Sequence, residues 1–510
     1  MRISRPVRFL LAIASGAAIA LSFPNYNLSF LAWLGIAMLM LASFGVRPRE
    51  AALYGFLHGL VFYPTCLPWI ATVIHQFGNV DSVTAAAVLG LMGVAGGLID
   101  SIFSSSLAAV GKRSVPLACL LAPFLWVTLE FLRAHLPIIS FPWNLLGYAV
   151  SGNLALLQLT AWTGIYGLSF LAAAFSSLLV WSLLERTKRS FIAVFSVAAI
   201  LLVLSWQGAR LLPQATPHYW AHLVQTNFPQ SEHYPPDWMQ IHAGEMDQLE
   251  KISVDAARRQ PGLIVWPETP APFSLRDPVF AARAERIASG SGNDFLVGVV
   301  TWTQGSSGEW QASNSAVLLD PSGHRLFSYD KIHLVPFGEY VPLRPWIKFA
   351  GRLTADIADF TPGTTYSIGR LDGGQFGVFI CYEAIFGDEI RRFSLAGADL
   401  LITISNDGWF GRSAAPAQHL MMARVRAVES RRWLLRDTNN GYTVSVDPYG
   451  RYVASMATDI RGELDAPYDF RSDRTLYVRW SDWFAWLCVV ASLGLIVFGI
   501  SRRAGRASSL

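Results

Sequence analysis

The 510-residue chain is poor in charged residues: Asp, Glu, Lys and Arg make up 15% of it, whereas 52% of its residues are apolar. An ordinary soluble domain carries about 25% charged residues. The formal net charge is only +4, and no basic stripe is present, so nucleic-acid binding is not indicated. A shortage of charge of this kind predicts contact with lipid wherever the apolar residues form long runs.

Cysteine is also scarce, with four residues in the whole chain. Cys66, Cys119 and Cys488 lie inside apolar runs, where a free cysteine behaves as a small hydrophobic side chain. The sequence has no CxxC pair, so neither a zinc site nor a disulfide framework is predicted, and we expect no metal and no cofactor. Cys381 differs from the other three because it lies in the polar part of the chain.

Eight apolar runs have about the length that a membrane-spanning helix requires, which is about 20 residues. They cover residues 8–24, 28–45, 51–75, 84–108, 114–133, 156–184, 191–210 and 482–501. The sequence therefore predicts a polytopic helical membrane domain with seven transmembrane helices in residues 1–210. An eighth helix and a short cytoplasmic tail are expected in residues 481–510.

The orientation follows from the cationic residues at the ends of these runs. Lys and Arg cluster at alternate ends, in the groups 2–8, 47–49, 112–113, 186–189 and 502–506. Because cytoplasmic loops are enriched in Lys and Arg, this pattern predicts that both termini are cytoplasmic and that residues 211–480 lie outside the cytoplasm. If one of the runs is re-entrant or buried and does not cross the membrane, the predicted side of every later segment is reversed.

Residues 211–480 are polar and alternate short β-type runs with helical stretches, which is typical of an α/β domain. The β-type runs are His222–Gln225, Gly262–Trp266, Phe295–Thr301, Asn314–Leu319, Phe376–Ile380, Leu400–Ser405 and Tyr442–Val446. The helical stretches are Met239–Arg259, Pro278–Ser289, Ile385–Leu395 and Ala417–Arg432.

Three of the predicted strands lead to a reactive residue. Glu268 follows Leu263–Val265 between two prolines, Lys331 precedes His333 and Glu339 within nine residues, and Cys381 directly follows Phe376–Ile380. Taken singly, each has an ordinary explanation: a surface acid, a solvated lysine and an inert buried thiol.

Taken together, the order Glu, Lys, Cys resembles the nitrilase superfamily of carbon–nitrogen hydrolases and acyltransferases, which has an α-β-β-α sandwich and a Glu–Lys–Cys triad. Further stretches resemble its membrane-embedded branch, the apolipoprotein N-acyltransferases. These are FPWNLLGY at 141–148, PPDW at 235–238, HLVPFGEYVP at 333–342 and CYE at 381–383. The resemblance covers essentially the whole chain, and it implies an extracytoplasmic nitrilase-like sandwich in residues 211–480.

The resemblance also implies roles for individual residues. Cys381 is expected to be the nucleophile, Glu268 the proton acceptor and Lys331 the group that stabilises the oxyanion. Glu339 is expected to hold Lys331 or the base, and Glu383 to anchor the strand end after the nucleophile. Trp238 and Tyr382 are expected to shape the acyl or headgroup pocket, and Asn314 to form a hydrogen bond near the triad. His333 is expected to form a structural hydrogen bond.

The implied reaction has two steps in the bacterial inner membrane. A phospholipid such as phosphatidylethanolamine donates an acyl chain to Cys381, and the thioester is then attacked by the α-amino group of an S-diacylglyceryl cysteine on an apolipoprotein. A monomer is the default expectation. Segment 342–353 mixes Leu343, Trp346 and Phe349 with cationic residues, which is typical of a segment that contacts lipid headgroups; a domain-packing loop is the alternative.

Two other functions stay open at this point. A membrane-tethered amidase or nitrilase would share the triad, and a transporter or lipid-binding protein could carry a non-catalytic domain. Asp100 and Glu130 lie in the fourth and fifth predicted spans, where each would cost about 2.5–3.5 kcal/mol at mid-depth. We therefore expect both to lie near helix ends or to be paired.

Overall fold

A computed structural model describes residues 3–78, 80–136, 140–231, 234–305, 308–340 and 360–501. The chain forms two compact units. The first comprises Met1–Thr72, Asp81–Leu212 and Trp480–Leu510, and the second comprises Val73–Val80 and Pro213–Arg479.

The α-helices are numbered α1–α18 in chain order; α12–α16 belong to the second unit and α17 lies at its end. Their bounds are Arg5–Leu21, Ala32–Ser43, Pro48–Cys66, Trp69–Phe77, Ser82–Gly111, Val115–His135, Leu146–Val150, Leu154–Leu157, Thr160–Thr163, Ile165–Glu185, Lys188–Gln207, Trp238–Ile241, Ala243–Arg259, Pro278–Ser291, Gly387–Ala396, Ala415–Ser430, Leu476–Trp480 and Trp483–Ser501.

Helices underlie all eight predicted apolar runs, but they are not all of spanning length. Within the described residues, four helices are long and apolar enough to cross a membrane: Ser82–Gly111, Val115–His135, Ile165–Glu185 and Lys188–Leu211. A fifth span results if the bent pair α3 and α4 is counted as one. Ser29–Ser43, Leu154–Thr163 and Trp483–Gly499 are shorter apolar helices. The helical membrane-type domain is therefore confirmed, whereas eight spans stay a prediction.

Local sequence explains where these helices begin and break. Asp81 caps α5, its carboxylate accepting hydrogen bonds from the main-chain N–H groups of Val83 and Thr84, each at 3.0 Å, as is typical of an N-cap. The run 51–75 bends by 56° between α3 and α4, where Pro68 cannot donate a helical hydrogen bond. The run 156–184 is interrupted at Gly164, whose φ of +64° ends α9 before α10 begins.

The two acids of the fourth and fifth predicted spans are both buried in the first unit. Oε1 of Glu130 accepts hydrogen bonds from Trp126 Nε1 at 3.0 Å and from the Leu146 main-chain N–H at 2.7 Å. Asp100 Oδ2 lies 3.8 Å from His58 Nε2. Both acids therefore have polar neighbours, as expected for ionisable groups on apolar helices.

The strands of the second unit are numbered β1–β12, and among the described residues they form two six-stranded sheets. Their bounds are Tyr219–Gln225, Leu263–Val265, Phe295–Gln304, Trp310–Leu319, Arg325–Asp330, Ile368–Leu371, Gly374–Ile380, Leu400–Ser405, Trp433–Thr438, Val444–Val446, Tyr452–Ser455 and Gly462–Tyr468. The first sheet has the order β12-β1-β2-β3-β4-β5 and the second has the order β11-β10-β9-β8-β7-β6.

The two sheets pack face to face, with helices on their outer faces, and this layering follows from the alternation of side chains along each strand. Leu263 and Val265 of β2 belong to the core shared with the second sheet, whereas Ile264 packs with residues of α13 and α14. Helices α15 and α16 contact β7 and β9 of the second sheet. This arrangement is the α-β-β-α sandwich that the resemblance predicted.

Candidate functional site

Glu268 is positioned by the end of β2 and is only 4% exposed. Its Oε1 accepts hydrogen bonds from Lys331 Nζ at 3.1 Å and Asn314 Nδ2 at 2.7 Å, and its Oε2 accepts one from the Asn406 main-chain N–H at 2.8 Å. A Cβ atom at Gly298 on β3 would lie 2.3 Å from the Pro267 carbonyl oxygen. The close approach of this loop to β3 therefore requires glycine.

Lys331 directly follows β5 and is 1% exposed. Its ammonium lies between two carboxylates, 3.1 Å from Glu268 Oε1 and 2.9 Å from Glu339 Oε1. Burial disfavours the charged ammonium, but the two carboxylates outweigh burial and raise the pKa of Lys331 well above its usual value. Lys331 is therefore a permanent buried positive charge.

Asn314 and Glu339 complete this group, which we name the acid–base cluster: Glu268, Asn314, Lys331 and Glu339. Asn314 Nδ2, on β4, donates to both carboxylates, at 2.7 Å to Glu268 and 2.8 Å to Glu339. Glu339 Oε2 accepts a hydrogen bond from the Val335 main-chain N–H at 2.8 Å. The two acids are thus held around one ammonium by a shared amide.

Cys381 follows β7 in a left-handed backbone conformation, with φ of +51°, and is 5% exposed. Burial and the nearby Glu268 carboxylate raise the pKa of its thiol, while Lys331 lowers it. The interaction with Lys331 by itself favours the thiolate. Burial is the larger effect, so the resting thiol is protonated.

Glu383 connects the loop that carries Lys331 with the strand that carries Cys381. Its Oε1 accepts hydrogen bonds from the Tyr329 hydroxyl and from two main-chain N–H groups, those of Ile332 and His333, at 2.7–3.1 Å. Its Oε2 accepts one from the Ile380 N–H at 2.6 Å. Burial raises the pKa of Glu383 to about 7, against the lowering effect of these hydrogen bonds.

Of the remaining residues predicted for the site, Tyr382 and His333 lie close to each other and Trp238 lies in the core on the outer side of the first sheet. Tyr382 is buried beside His333 and Phe386, with ring-centroid distances of 5.9 and 5.3 Å. His333 Nδ1 is 3.0 Å from Glu389 Oε1, in keeping with a structural hydrogen bond. Trp238 packs in the core between the first sheet and its helices, 4.9 Å from the Phe228 ring. Leu343, Trp346 and Phe349 lie outside the described residues.

Sequence reasoning missed three buried polar residues, which we name the backbone cluster: Asp407, His419 and Arg436. Arg436 Nη2 pairs with Asp407 Oδ2 at 2.8 Å, and both side chains are fully buried. His419 Nε2 donates to the main-chain carbonyl of Cys381 at 2.9 Å. One signal was available, because Asp407 comes two residues after the strongly apolar run Leu400–Ser405.

One group in the described part of the chain has the spacing of metal ligands: His222, Glu463 and Asp465. His222 Nδ1 lies 3.1 Å from Glu463 and 2.9 Å from Asp465, and its Nε2 lies 2.7 Å from the Gln260 carbonyl oxygen. Arg259 pairs with Glu463 at 3.1 Å and supplies positive charge there. This group sits on β1 and β12, and we assign it a structural role.

Two family models match the chain, the apolipoprotein N-acyltransferase N-terminal domain over residues 15–178 and carbon-nitrogen hydrolase over residues 234–479. Curated relatives named apolipoprotein N-acyltransferase match along nearly the full length. The one from Geobacter metallireducens is 33% identical and covers 97% of this chain and 96% of its own. Those from Methylococcus capsulatus and Pseudomonas syringae pv. tomato are 33% and 30% identical, each covering 98% of this chain and 97% of its own.

The matches extend over both units, and the second unit has the sandwich in which the buried ammonium of Lys331 is held by two carboxylates near the thiol of Cys381. The chain belongs to the apolipoprotein N-acyltransferase family.

Proposed function

We propose that this protein transfers a fatty acyl chain from a phospholipid, through a thioester on Cys381, to the α-amino group of the S-diacylglyceryl cysteine of an apolipoprotein. The observation that carries the proposal is the buried ammonium of Lys331, held by Glu268 and Glu339 near a buried thiol. Membership of the family gives the substrate class.

In the first half-reaction, Glu268 accepts the Cys381 proton as Sγ attacks the ester carbonyl carbon. Coupling of the two events is needed because the pKa of the thiol is raised, so little thiolate exists beforehand. Lys331 stabilises the oxyanion of the tetrahedral intermediate, a kind of contact that contributes about 10²–10³ in rate. The C–O bond then breaks, Glu268 returns the proton to the glycerol oxygen, and a lysophospholipid leaves.

In the second half-reaction, the amine nitrogen attacks the thioester and the C–S bond breaks. Glu268 takes a proton from the amine and the Cys381 sulfur is protonated again, which regenerates the resting site and yields an amide. Glu339 and Asn314 keep Lys331 and Glu268 in place throughout, since Glu339 accepts a hydrogen bond from Lys331 and Asn314 donates to both Glu268 and Glu339. Donors fixed before the reaction cost no reorganisation during it.

The cellular arrangement is part of the same proposal. Residues 1–210 and 481–510 form eight inner-membrane spans with both termini in the cytoplasm, and residues 211–480 form the periplasmic catalytic domain. The alternating cationic ends of the apolar runs support this orientation. The apolar window of Lys188–Leu211 is only 6% buried, and an apolar surface of that extent favours a lipid environment.

The acyl donor, the oligomeric state and the membrane-contacting segment are further parts of the proposal, and each has its own support. Phosphatidylethanolamine as donor follows from the family resemblance, and a monomer is the working assumption. Contact of Leu343, Trp346 and Phe349 with the bilayer surface rests on the amino-acid pattern alone. A tethered amidase is less well supported, because the N-terminal family match over residues 15–178 and the long apolar helices have no role in hydrolysing a small amide.

The deciding experiment follows an isotope-labelled acyl chain. Full-length protein in nanodiscs containing labelled phosphatidylethanolamine is digested, and mass spectrometry then locates the label. We expect it on the Cys381 peptide, with release of lysophospholipid and transfer to a diacylglyceryl lipopeptide when one is added. Cys381→Ala should abolish both steps, whereas Cys488→Ala, a buried cysteine of the first unit, should leave them intact. Full acyl transfer by Cys381→Ala would refute the mechanism.

A further inference from the structure

Cys381 occupies a backbone conformation that other residues must hold in place. Its φ of +51° lies in the left-handed region, which is unfavourable for a residue with a side chain. A conformation of this kind persists where surrounding contacts determine it. The structure should therefore contain groups that hold the main chain on either side of the sulfur.

Two such groups are present. On the N-terminal side, the Ile380 N–H donates to Glu383 Oε2 at 2.6 Å. On the C-terminal side, the carbonyl oxygen of Cys381 accepts a hydrogen bond from His419 Nε2 at 2.9 Å. The nucleophile is thus held by the Glu383 carboxylate before it and by the His419 imidazole after it, and neither side chain belongs to the acid–base cluster.

The His419 ring is itself held by the buried ion pair of Arg436 and Asp407, through a hydrogen bond that Arg436 donates to its Nδ1. Its Nδ1 lies 3.2 Å from Arg436 Nη2 and 3.2 Å from Asp407 Oδ1, and Asp407 also accepts a hydrogen bond from the Ser405 hydroxyl at 2.8 Å. A carbonyl oxygen can only accept, so the Nε2 that faces Cys381 carries a proton. Burial and the Arg436 charge lower the pKa of His419, which favours the neutral ring with that single proton.

We propose that Asp407, His419 and Arg436 act as positioning residues for the nucleophile: Arg436, held by its pair with Asp407, donates to His419 Nδ1 and so fixes the ring, and the ring Nε2–H holds the Cys381 carbonyl and so the direction of Sγ. Because the carbonyl is part of a planar peptide group, fixing its oxygen also fixes the orientation of the Cys381–Tyr382 peptide. The inference rests on the proposed function only in taking Cys381 as the reacting group.

The test compares two histidines that have similar surroundings. His419 and His222 are both fully buried, each with one ring nitrogen at a main-chain carbonyl and the other near carboxylates. His419→Phe removes the contact to Cys381, whereas His222→Phe removes the equivalent contact to Gln260. Both variants should lower the melting temperature. Only the first should slow the chemistry of Cys381.

Two readouts are taken on full-length protein in nanodiscs: the rate of Cys381 alkylation by iodoacetamide, and the rate of acyl-enzyme formation from labelled phosphatidylethanolamine. For His419→Phe we expect both rates to fall about tenfold with an unchanged KM, which corresponds to release of the left-handed conformation. His419→Gln keeps an N–H donor of similar reach and should restore both rates to within about threefold of wild type.

The outcomes separate this inference from the proposed function. If His419→Phe reacts at the wild-type alkylation rate, or if His222→Phe slows the reaction equally, the positioning role is overturned. Should His419→Phe fail to accumulate, a tenfold loss in His419→Gln would overturn it as well. A wild-type protein that is alkylated but never acylated by phospholipid would refute the proposed function and leave the alkylation comparison standing.

Discussion

The acid–base cluster belongs to the first sheet and the loops that follow its strands, whereas the backbone cluster belongs to the second sheet and helix α16, and the two clusters use charge differently. In the first, Glu268, Lys331 and Glu339 place two carboxylates around one ammonium, which favours a single unneutralised negative charge near the thiol. In the second, Arg436 and Asp407 form a one-to-one pair whose neighbour His419 contacts main chain. In the proposed mechanism, the first sheet therefore supplies proton transfer and charge, and the second supplies the nucleophile and its geometry.

The largest expected effect comes from removing the base of the acid–base cluster. Glu268→Gln keeps the shape of the side chain but cannot accept the thiol proton, so acyl-enzyme formation should fall by about 10²–10⁴. Rapid-quench mass spectrometry of the Cys381 peptide measures this rate. Glu285→Gln, an exposed residue of the same unit, is the matched control. A Glu268→Gln rate within tenfold of wild type would remove the distinction between the clusters.

The next largest effect comes from removing the Lys331 ammonium, and a double variant separates its contribution to rate from its contribution to stability. Lys331→Met leaves the buried Glu268 carboxylate and the partly buried Glu339 carboxylate without a counterion, so we expect a loss of about 3–5 kcal/mol in unfolding free energy and about 10²–10³ in rate. Adding Glu339→Gln should recover part of the stability, because one negative charge is removed, but none of the rate. Thermal unfolding and turnover of both variants give the measurement, and recovered turnover in the double variant would argue against the oxyanion role.

Glu383 joins the two regions, and its raised pKa predicts a pH effect on stability. A folded pKa of about 7, above the ordinary value of 4.5, means that the folded state binds this proton more tightly than the unfolded state. The stabilisation is complete below about pH 4.5 and is lost as pH rises through 7, by about 3 kcal/mol. The stability difference between wild type and Glu383→Gln should fall by that amount over this range, and a pH-independent difference would contradict the assignment.

The smallest expected effect concerns Asn314, which contacts both carboxylates without carrying charge. Asn314→Ala should lower kcat by about 10- to 10²-fold, since a hydrogen bond to a charged group contributes about 1.5–3 kcal/mol, and should leave KM little changed. Asn293→Ala removes a side-chain acceptor of the Gly262 N–H in the same unit and serves as the control. An equal loss of kcat in both variants would indicate general destabilisation.

The sequence pattern predicted an α/β domain and the three strand ends, because apolar runs followed by a single reactive residue are a local pattern; the sandwich itself was implied by the family resemblance. Strand β9, Trp433–Thr438, was absent from the prediction. Its Arg436 and Asp437 interrupt the apolar run, and a helix was expected to continue to Arg432. These charges are buried only because the strand is central in the second sheet, which no local pattern reveals.

The backbone cluster was missed for the same physical reason. Asp407, His419 and Arg436 come from a strand end, a helix and a strand that are separated by 12 to 29 positions along the chain. Their meeting depends on the packing of α16 against β9. The prediction of the number of membrane spans was limited in another way. The apolar composition of a run does not show that Pro68 and Gly164 interrupt the helix in two of the runs.

The raised pKa of the Cys381 thiol has a consequence for the durability of the protein. Peroxides and stray disulfides react with thiolate far faster than with thiol. A sulfur that is ionised only while Glu268 takes its proton is therefore a poor target for oxidants between turnovers. If residues 211–480 lie in the oxidising periplasm, as proposed, this low reactivity of the resting thiol would preserve the enzyme without any partner to reduce it.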